Sequence, residues 1–225
     1  MLHAVTNDEI VGRADFLARA RDIMRAMGDR GALHLRAPKM MDDRGAALVE
    51  LALALAEEQE RTGAWLVIND RVDVALIVCA RGVQLTGESL EVADATQVIH
   101  RIGDRTASAA LTPAIGASVH SLEEAIGARI AGAAWGVVRD IIRAEHRDPK
   151  RSNADRAEHN PRLLDQLVRF GGIPIIVIGG VLPRHVTQLR RVGAHGIAAI
   201  RGIWDVEHSE RAAIDYLSAY DSEVG

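Results

Sequence analysis

From Ile173 to Gly180 the chain reads Ile-Pro-Ile-Ile-Val-Ile-Gly-Gly. An apolar, largely β-branched run without alternation is the pattern of a strand buried on both faces, as in parallel sheets. The glycine pair lets the backbone turn sharply and approach another group, because neither residue carries a Cβ. Val181-Leu-Pro-Arg-His-Val186 then opens a helix, with Pro183 in its first turn. A strand, a glycine pair and a helix start make a natural anion site, since unpaired N–H groups and the positive end of the helix dipole face one way. The same grammar returns at Gly196–Ile200, a short apolar run that ends in Arg201-Gly202. Two neighbouring loops of this kind predict a shared phosphate site at Gly179, Gly180, Arg201 and Gly202. The plainer alternative is two glycine turns needed for tight closure.

The remainder alternates the same two patterns. Leu2–Thr6 is strand-like, and Ala14–Met27 spaces Phe16, Ala20, Ile23, Met24 and Met27 at helical intervals before Gly28. Ala32–Arg36 is a second strand, Asp42–Arg61 a long helix stopped by Gly63, and Trp65–Ile68 a third strand ending at Asn69-Asp70. Helix Val72–Val78, strand Gly82–Leu85, helix Glu91–Arg101 and strands Ala114–Ala117 and Ala133–Val138 follow. Ser121-Leu-Glu-Glu124 reads as a capping box, and a last helix lies near Glu210–Tyr220. Eight strand–helix units in 225 residues predict an α/β fold, a (β/α)8 TIM barrel with residues 1–225 as a single domain. A doubly wound open sheet is the alternative, and the missing Gly-x-Gly-x-x-Gly after the first strand counts against it.

Composition narrows the function classes. The net charge of −4 offers no broad basic surface, so neither nucleic acid nor an anionic membrane is expected as a partner. The single cysteine, Cys79, excludes an internal disulfide framework and fits a reducing compartment. The opening residues lack a basic segment followed by an apolar core, and no stretch approaches the ~20 apolar residues of a membrane span. A cytoplasmic protein is expected.

In such a barrel the chemistry collects at the C-terminal strand ends. That singles out His34 and Arg36, Asn69 and Asp70, Gln84, Ser118 and His120, from different strands but one mouth. One connection is abnormal: residues 139–160 form a charged βα loop far longer than the usual ~2–6 residues. It reads either as a lid that closes on an anionic ligand or as a solvated loop without a catalytic residue. His146 and His159 lack metal-ligand spacing on a shared element, so no metal site is predicted. There is no Gly-x-Ser-x-Gly elbow, Walker loop or Cys-x-x-Cys.

Over nearly its whole length the chain resembles the thiamin phosphate synthase and TenI superfamily. The matching segments are His34-Leu-Arg-Ala-Pro-Lys39, Ile68-Asn-Asp-Arg71, Gly82-Val-Gln-Leu85, Gly116-Ala-Ser-Val-His-Ser-Leu-Glu-Glu-Ala125, Ile178-Gly-Gly-Val181 and Gly196-Ile-Ala-Ala-Ile-Arg-Gly202. Each is weak alone; their order on successive strands makes the resemblance strong. The synthase branch joins a pyrimidine pyrophosphate to a thiazole phosphate and needs Mg²⁺ between carboxylates and pyrophosphate. Asp70 keeps one family carboxylate. Thr86-Gly-Glu-Ser89 stands where the family has Gly-Gln-x-Asp, so Ser89 replaces the second carboxylate, with Glu88 beside it. The Thr-x-Thr-Lys segment is also absent, leaving only Lys150 in the long loop.

These departures point to the TenI-like branch, whose thiazole tautomerases aromatise a carboxythiazole phosphate without cofactor or metal. The resemblance implies His120 as the acid/base group, and histidine suits that task because its unperturbed pKa is about 6.5. His34 is a second candidate catalytic group, standing where the synthases usually carry Gln. Arg36 suits a carboxylate or phosphate because its planar fork binds bidentately. Asn69, Asp70, Gln84 and Ser118 are expected to line the substrate. The predicted ligand is thus a small phosphorylated heterocycle, with Mg²⁺ needed only if the chain is a divergent synthase using Glu88 and Lys150. A non-catalytic sensor of a phosphorylated ligand is the reading from another class. Barrels of this family are often homodimers, an expectation that comes from the resemblance and not from the surface pattern.

Overall fold

A computed structural model describes residues 1–43, 45–103, 112–139, 141–142 and 161–222. Eight parallel strands close on themselves in sequence order: β1 (Leu2–Val5), β2 (Gly31–Leu35), β3 (Trp65–Asn69), β4 (Gly82–Leu85), β5 (Ala114–Ser118), β6 (Trp135–Arg139), β7 (Ile175–Ile178) and β8 (Gly196–Ala199). The ring is completed where Leu2 pairs with Ile197 and His3 with Ala198. Around it run α1 (Asp8–Val11), α2 (Phe16–Met27), α3 (Pro38–Asp43), α4 (Gly45–Thr62), α5 (Val72–Ile77), α6 (Val92–Gly103), α7 (Leu122–Ile130), α8 (Pro161–Phe170), α9 (Pro183–Val192), α10 (Arg201–Trp204) and α11 (Ser209–Asp221). This is a (β/α)8 TIM barrel.

Alternate residues of each strand serve two cores. Those facing the helices, such as Leu33, Leu35, Leu66, Ile68, Val83 and Val177, join a large cluster with Ile23, Met24, Leu48 and Leu55 of the helices. Those facing inward, Val5, Ala32, Val67, Trp135, Ile176 and Ala198, fill the lumen. Both faces are buried, which is why the strands read as unbroken apolar runs. The polar exceptions are few. His3, His34, Asn69 and Gln84 are buried on strands and share the inward register.

Two local features differ from the sequence expectation. The helical residues reach past both ends of the expected Asp42–Arg61: α3 opens at Pro38 and α4 runs from Gly45 to Thr62, with Arg44 between them outside the described residues. Pro38 suits a first helical position, where its missing N–H costs nothing. The sixth strand starts at Trp135 and not at Ala133, because Ala133 N–H still bonds the Ala128 carbonyl at the end of α7. The charged loop of 139–160, with His146, Lys150 and His159, lies almost wholly outside the described residues; only Arg139, Ile141 and Ile142 of it are within them. No helix among the described residues is long and apolar enough to cross a membrane.

Candidate active site

Parallel closure brings the C-terminal ends of all eight strands to one mouth, and the groups there differ in how they are held. At the end of β2, Arg36 N–H donates to Thr6 Oγ1 at 2.8 Å, while the Thr6 hydroxyl faces the carbonyls of Arg36 and His34 at 2.9 and 3.2 Å. Fully buried Thr6 thereby fixes where β2 ends. The half-buried Arg36 guanidinium makes no hydrogen bond or ion pair with a described residue. The same holds for Arg139 at the end of β6 and Arg201 just past β8, both exposed. Three cationic forks thus rim the mouth without partners among the described residues, an arrangement suited to anionic ligand groups.

Below them lies a buried polar layer. His34 Nε2 and His3 Nδ1 are 2.7 Å apart, with ring centroids 5.0 Å apart and planes tilted by 57°. Burial pushes the His34 pKa down to about 4, against an opposing pull from the Asn69 side chain. Burial, reinforced by neighbouring His34 and the amino terminus, holds His3 well below the ordinary imidazole value. Asn69 Oδ1 and His3 Nε2 are buried with no hydrogen bond of normal geometry. The Gln84 amide is committed elsewhere. Its Oε1 accepts from Trp135 Nε1 at 2.8 Å and its Nε2 donates to the Leu85 carbonyl at 3.1 Å. The Trp135 indole occupies the space in which a side chain at position 116 would stand, so Gly116 is what admits it to the lumen.

Asp70 sits in the left-handed region at φ 62°, and its Oδ1 accepts from both N–H and Oγ1–H of Thr86 at 2.8 Å. The carboxylate therefore staples the end of β3 to the residue after β4. Ser89 N–H bonds the Thr86 carbonyl at 3.1 Å, its Oγ is buried without a partner, and Glu88 points into solvent. The Mg²⁺ of the synthases would need carboxylates that converge here. Asp70 has one oxygen engaged, a hydroxyl stands at the second position, and no three acidic, imidazole or thiolate groups gather among the described residues. This donor set does not fit the ion.

At β5, half-buried Ser118 ends the strand and exposed His120 follows two residues later. Ser121 caps α7, its Oγ accepting from Glu124 N–H at 3.1 Å. In a regular capping box the Glu124 carboxylate would return to the Ser121 N–H. Instead Glu124 Oε2 takes the His120 N–H at 2.7 Å and lies 3.1 Å from His120 Nδ1. The ring is held by one nitrogen and presents Nε2 outward.

The glycine loops follow β7 and β8, two and three strands on from β5. Gly179 and Gly180 have φ of 105° and 68°, a region that L side chains enter only at a cost. Leu182 N–H donates to His185 Nδ1 at 3.1 Å, which settles the first turn of α9. Tyr216 ties the two loops together. Its hydroxyl donates to the Val181 carbonyl at 2.8 Å, and a Cβ at Gly202 would fall 2.2 Å from the same oxygen. Burial pushes the Tyr216 pKa up to about 12, so the tie is a neutral phenol, with Arg184 opposing the shift.

The barrel thus brings His34, Arg36, Asn69, Asp70, Gln84, Ser118, His120, Gly179, Gly180, Arg201 and Gly202 to one end. Lys150 falls outside the described residues. Two groups belong beside them that the sequence did not single out, His3 and Arg139. The only local signal for either was its inward place in a strand, Leu2-His-Ala-Val5 and Trp135-Gly-Val-Val-Arg139. A surface depression bounded by Arg19, Asp22, Glu207 to Arg211 and Ile214 lies on the outer wall between α2 and α11, away from this mouth.

Comparison with known proteins agrees with the barrel fold. The family model described as thiamine monophosphate synthase (TMP-TENI) matches residues 2–203. Similar proteins include the thiamine-phosphate synthase of Chlorobium luteolum, 31% identical over 210 residues, with 93% of this chain and 88% of that protein covered. Another is the thiamine biosynthesis bifunctional protein ThiM/ThiE of Symbiobacterium thermophilum, 33% identical over 182 residues, covering 79% of this chain. The match spans about a third of that longer protein (35%). Among solved structures, the thiamine phosphate pyrophosphorylase of Pyrococcus furiosus superposes with a TM-score of 0.75 at 24% identity, covering 100% of this chain and 96% of that one. The chain belongs to the thiamine monophosphate synthase and TenI family.

Proposed function

We propose that the mouth binds a phosphorylated thiazole carboxylate and catalyses its aromatising proton shift, a TenI-like tautomerase activity within thiamin biosynthesis. The observation that carries this reading is the Glu124–His120 contact. With the carboxylate on the Nδ1 side, the proton belongs on Nδ1 and the free lone pair on Nε2, the arrangement of a general base oriented by an acid. Nε2 takes a proton from one ring position of the substrate and returns it to another, so nothing is consumed. Glu124 stabilises the imidazolium between the two steps. Arg36 and Arg139 face the carboxylate end. The glycine loops at Gly179-Gly180 and Gly202, with Arg201, hold the phosphate through backbone N–H groups and one guanidinium. His34, Asn69 and Ser118 complete the pocket wall, and Gln84 supports it through Trp135.

A second reading has its own support. The relatives are named for synthesis of thiamine phosphate, which favours coupling of thiazole phosphate with pyrimidine pyrophosphate, and Asp70 stands at the matching strand end. The side chains at 88 and 89 weigh against it. One experiment separates the two: turnover of the carboxythiazole phosphate tautomer followed by ultraviolet absorbance with EDTA present, beside pyrophosphate release with Mg²⁺ and both synthase substrates. Metal-independent aromatisation supports the tautomerase. Pyrophosphate release without aromatisation replaces it with the synthase, and ligand binding with neither reaction leaves a sensor.

A further inference from the structure

Three buried polar groups, His3, His34 and Asn69, lie on the inward faces of adjacent strands, below the mouth. No described group bonds His3 Nε2 or Asn69 Oδ1, yet the two rings meet at 2.7 Å. We propose that His3 is a positioning residue that polarises this row: His3 Nδ1–H donates to His34 Nε2, His34 Nδ1–H faces Asn69 Oδ1, and the Asn69 amide turns its Nδ2 hydrogens to the ligand. This deepens the proposed function, on which it rests, by assigning Asn69 the recognition of a ligand acceptor such as a carboxylate oxygen or ring nitrogen.

Three observations fix the direction. Both rings are neutral near pH 7, because burial disfavours their charged forms, so the His3–His34 contact holds a single proton. If His34 supplied that proton, His3 would carry its own on Nε2, a buried N–H with no acceptor, which folded proteins rarely tolerate. Finally, Nδ1 is the ring nitrogen of His34 not engaged by His3, and the Asn69 side chain opposes the lowering of the His34 pKa. The opposite polarity would present an acceptor to the ligand and repel an anionic group. The row therefore bears on specificity as well as packing.

The test is a long-range ¹H–¹⁵N correlation spectrum of the histidine side chains at neutral pH. It is combined with calorimetric affinity for the aromatic carboxythiazole phosphate. The expected result is Nδ1–H on both His3 and His34. His3→Phe should give mixed His34 tautomers and weaken binding about five- to tenfold, the worth of roughly one hydrogen bond. His3→Asn, which keeps a donor, should preserve both. A proton on His34 Nε2 in the native protein, or unchanged tautomer and affinity in His3→Phe, overturns the proposal. If His3→Phe does not fold, the native spectrum alone decides the polarity. The expected tautomers without turnover would leave the polarity standing and sink the proposed reaction; turnover with the reverse tautomers would do the opposite.

Discussion

Glu124 Oε2 holds His120 twice, through its backbone N–H at 2.7 Å and its Nδ1 at 3.1 Å. One carboxylate thus sets both where the strand-end loop stands and which ring nitrogen is free. Both partners are largely exposed, so the pair adds little stability and its consequence is orientation. His120→Ala should lower turnover by about 10²–10⁴-fold, the usual worth of a positioned acid/base group, while ligand affinity survives. Glu124→Gln should cost less in turnover, about tenfold, because the amide keeps the N–H contact but stabilises imidazolium poorly. Steady-state kinetics alongside calorimetry checks both, and full activity in His120→Ala would remove the proposed base.

Gly202 and Tyr216 make a second, purely steric prediction. A methyl at position 202 would meet the Tyr216 hydroxyl, which is buried and bonded to Val181. Gly202→Ala should therefore destabilise by about 1–3 kcal/mol, the typical penalty of overpacking. Tyr216→Phe alone leaves the Val181 carbonyl without this donor and costs about 1–2 kcal/mol. Combined, the two should cost less than their sum, since removing the hydroxyl makes room for the methyl. Thermal unfolding of the four proteins reads the coupling directly; strict additivity would mean that the methyl is accommodated elsewhere.

The barrel was legible because its strands are buried on both faces, so Ile175–Ile178 and its counterparts stand out as unbroken apolar runs. The mouth was legible for a related reason. Polar residues such as Arg36 and Arg201 at the ends of such runs have nowhere to go but the rim. What stayed hidden depends on pairing between strands. His3 sits among Leu2, Ala4 and Val5, and nothing local marks it as the neighbour of His34. Gln84 has the look of a ligand-facing amide until the indole of Trp135, 51 positions later, is seen to claim it. The helix start at Pro38 was missed because the alanine- and leucine-rich periodicity further on drew the expected boundary to Asp42.

The rim arginines predict a graded loss of anion binding. Arg36, Arg139 and Arg201 lack partners among the described residues, so their removal should leave stability within about 0.5 kcal/mol, as for most surface substitutions. Arg201→Ala should weaken inorganic phosphate and the phosphorylated thiazole alike. Arg36→Ala and Arg139→Ala should weaken the carboxylated thiazole phosphate more than its decarboxylated analogue. Each loss should be about ten- to a hundredfold, the range of a charge-assisted hydrogen bond, and should shrink as salt rises. Equal losses for both thiazoles in Arg139→Ala would detach that residue from the carboxylate.

The buried histidines fix the sign of the acid response. His34 has a pKa near 4 in the folded barrel, chiefly from burial, against about 6.5 in the unfolded chain. Between those values the unfolded chain binds more protons, so unfolding free energy rises with pH across this window and falls as the solution is acidified. At pH 7 and above the neutral ring is unopposed. Below about pH 6.5 the loss begins, and by pH 4 it approaches about 3 kcal/mol for His34 alone, with His3 adding in the same direction. His34→Gln should flatten this limb, because an amide cannot take up the proton, while its missing contact to His3 lowers stability at pH 7. Urea unfolding of both proteins from pH 4 to 8 makes the comparison. A native slope no steeper than that of His34→Gln would mean that the ring reaches water and is protonated in place.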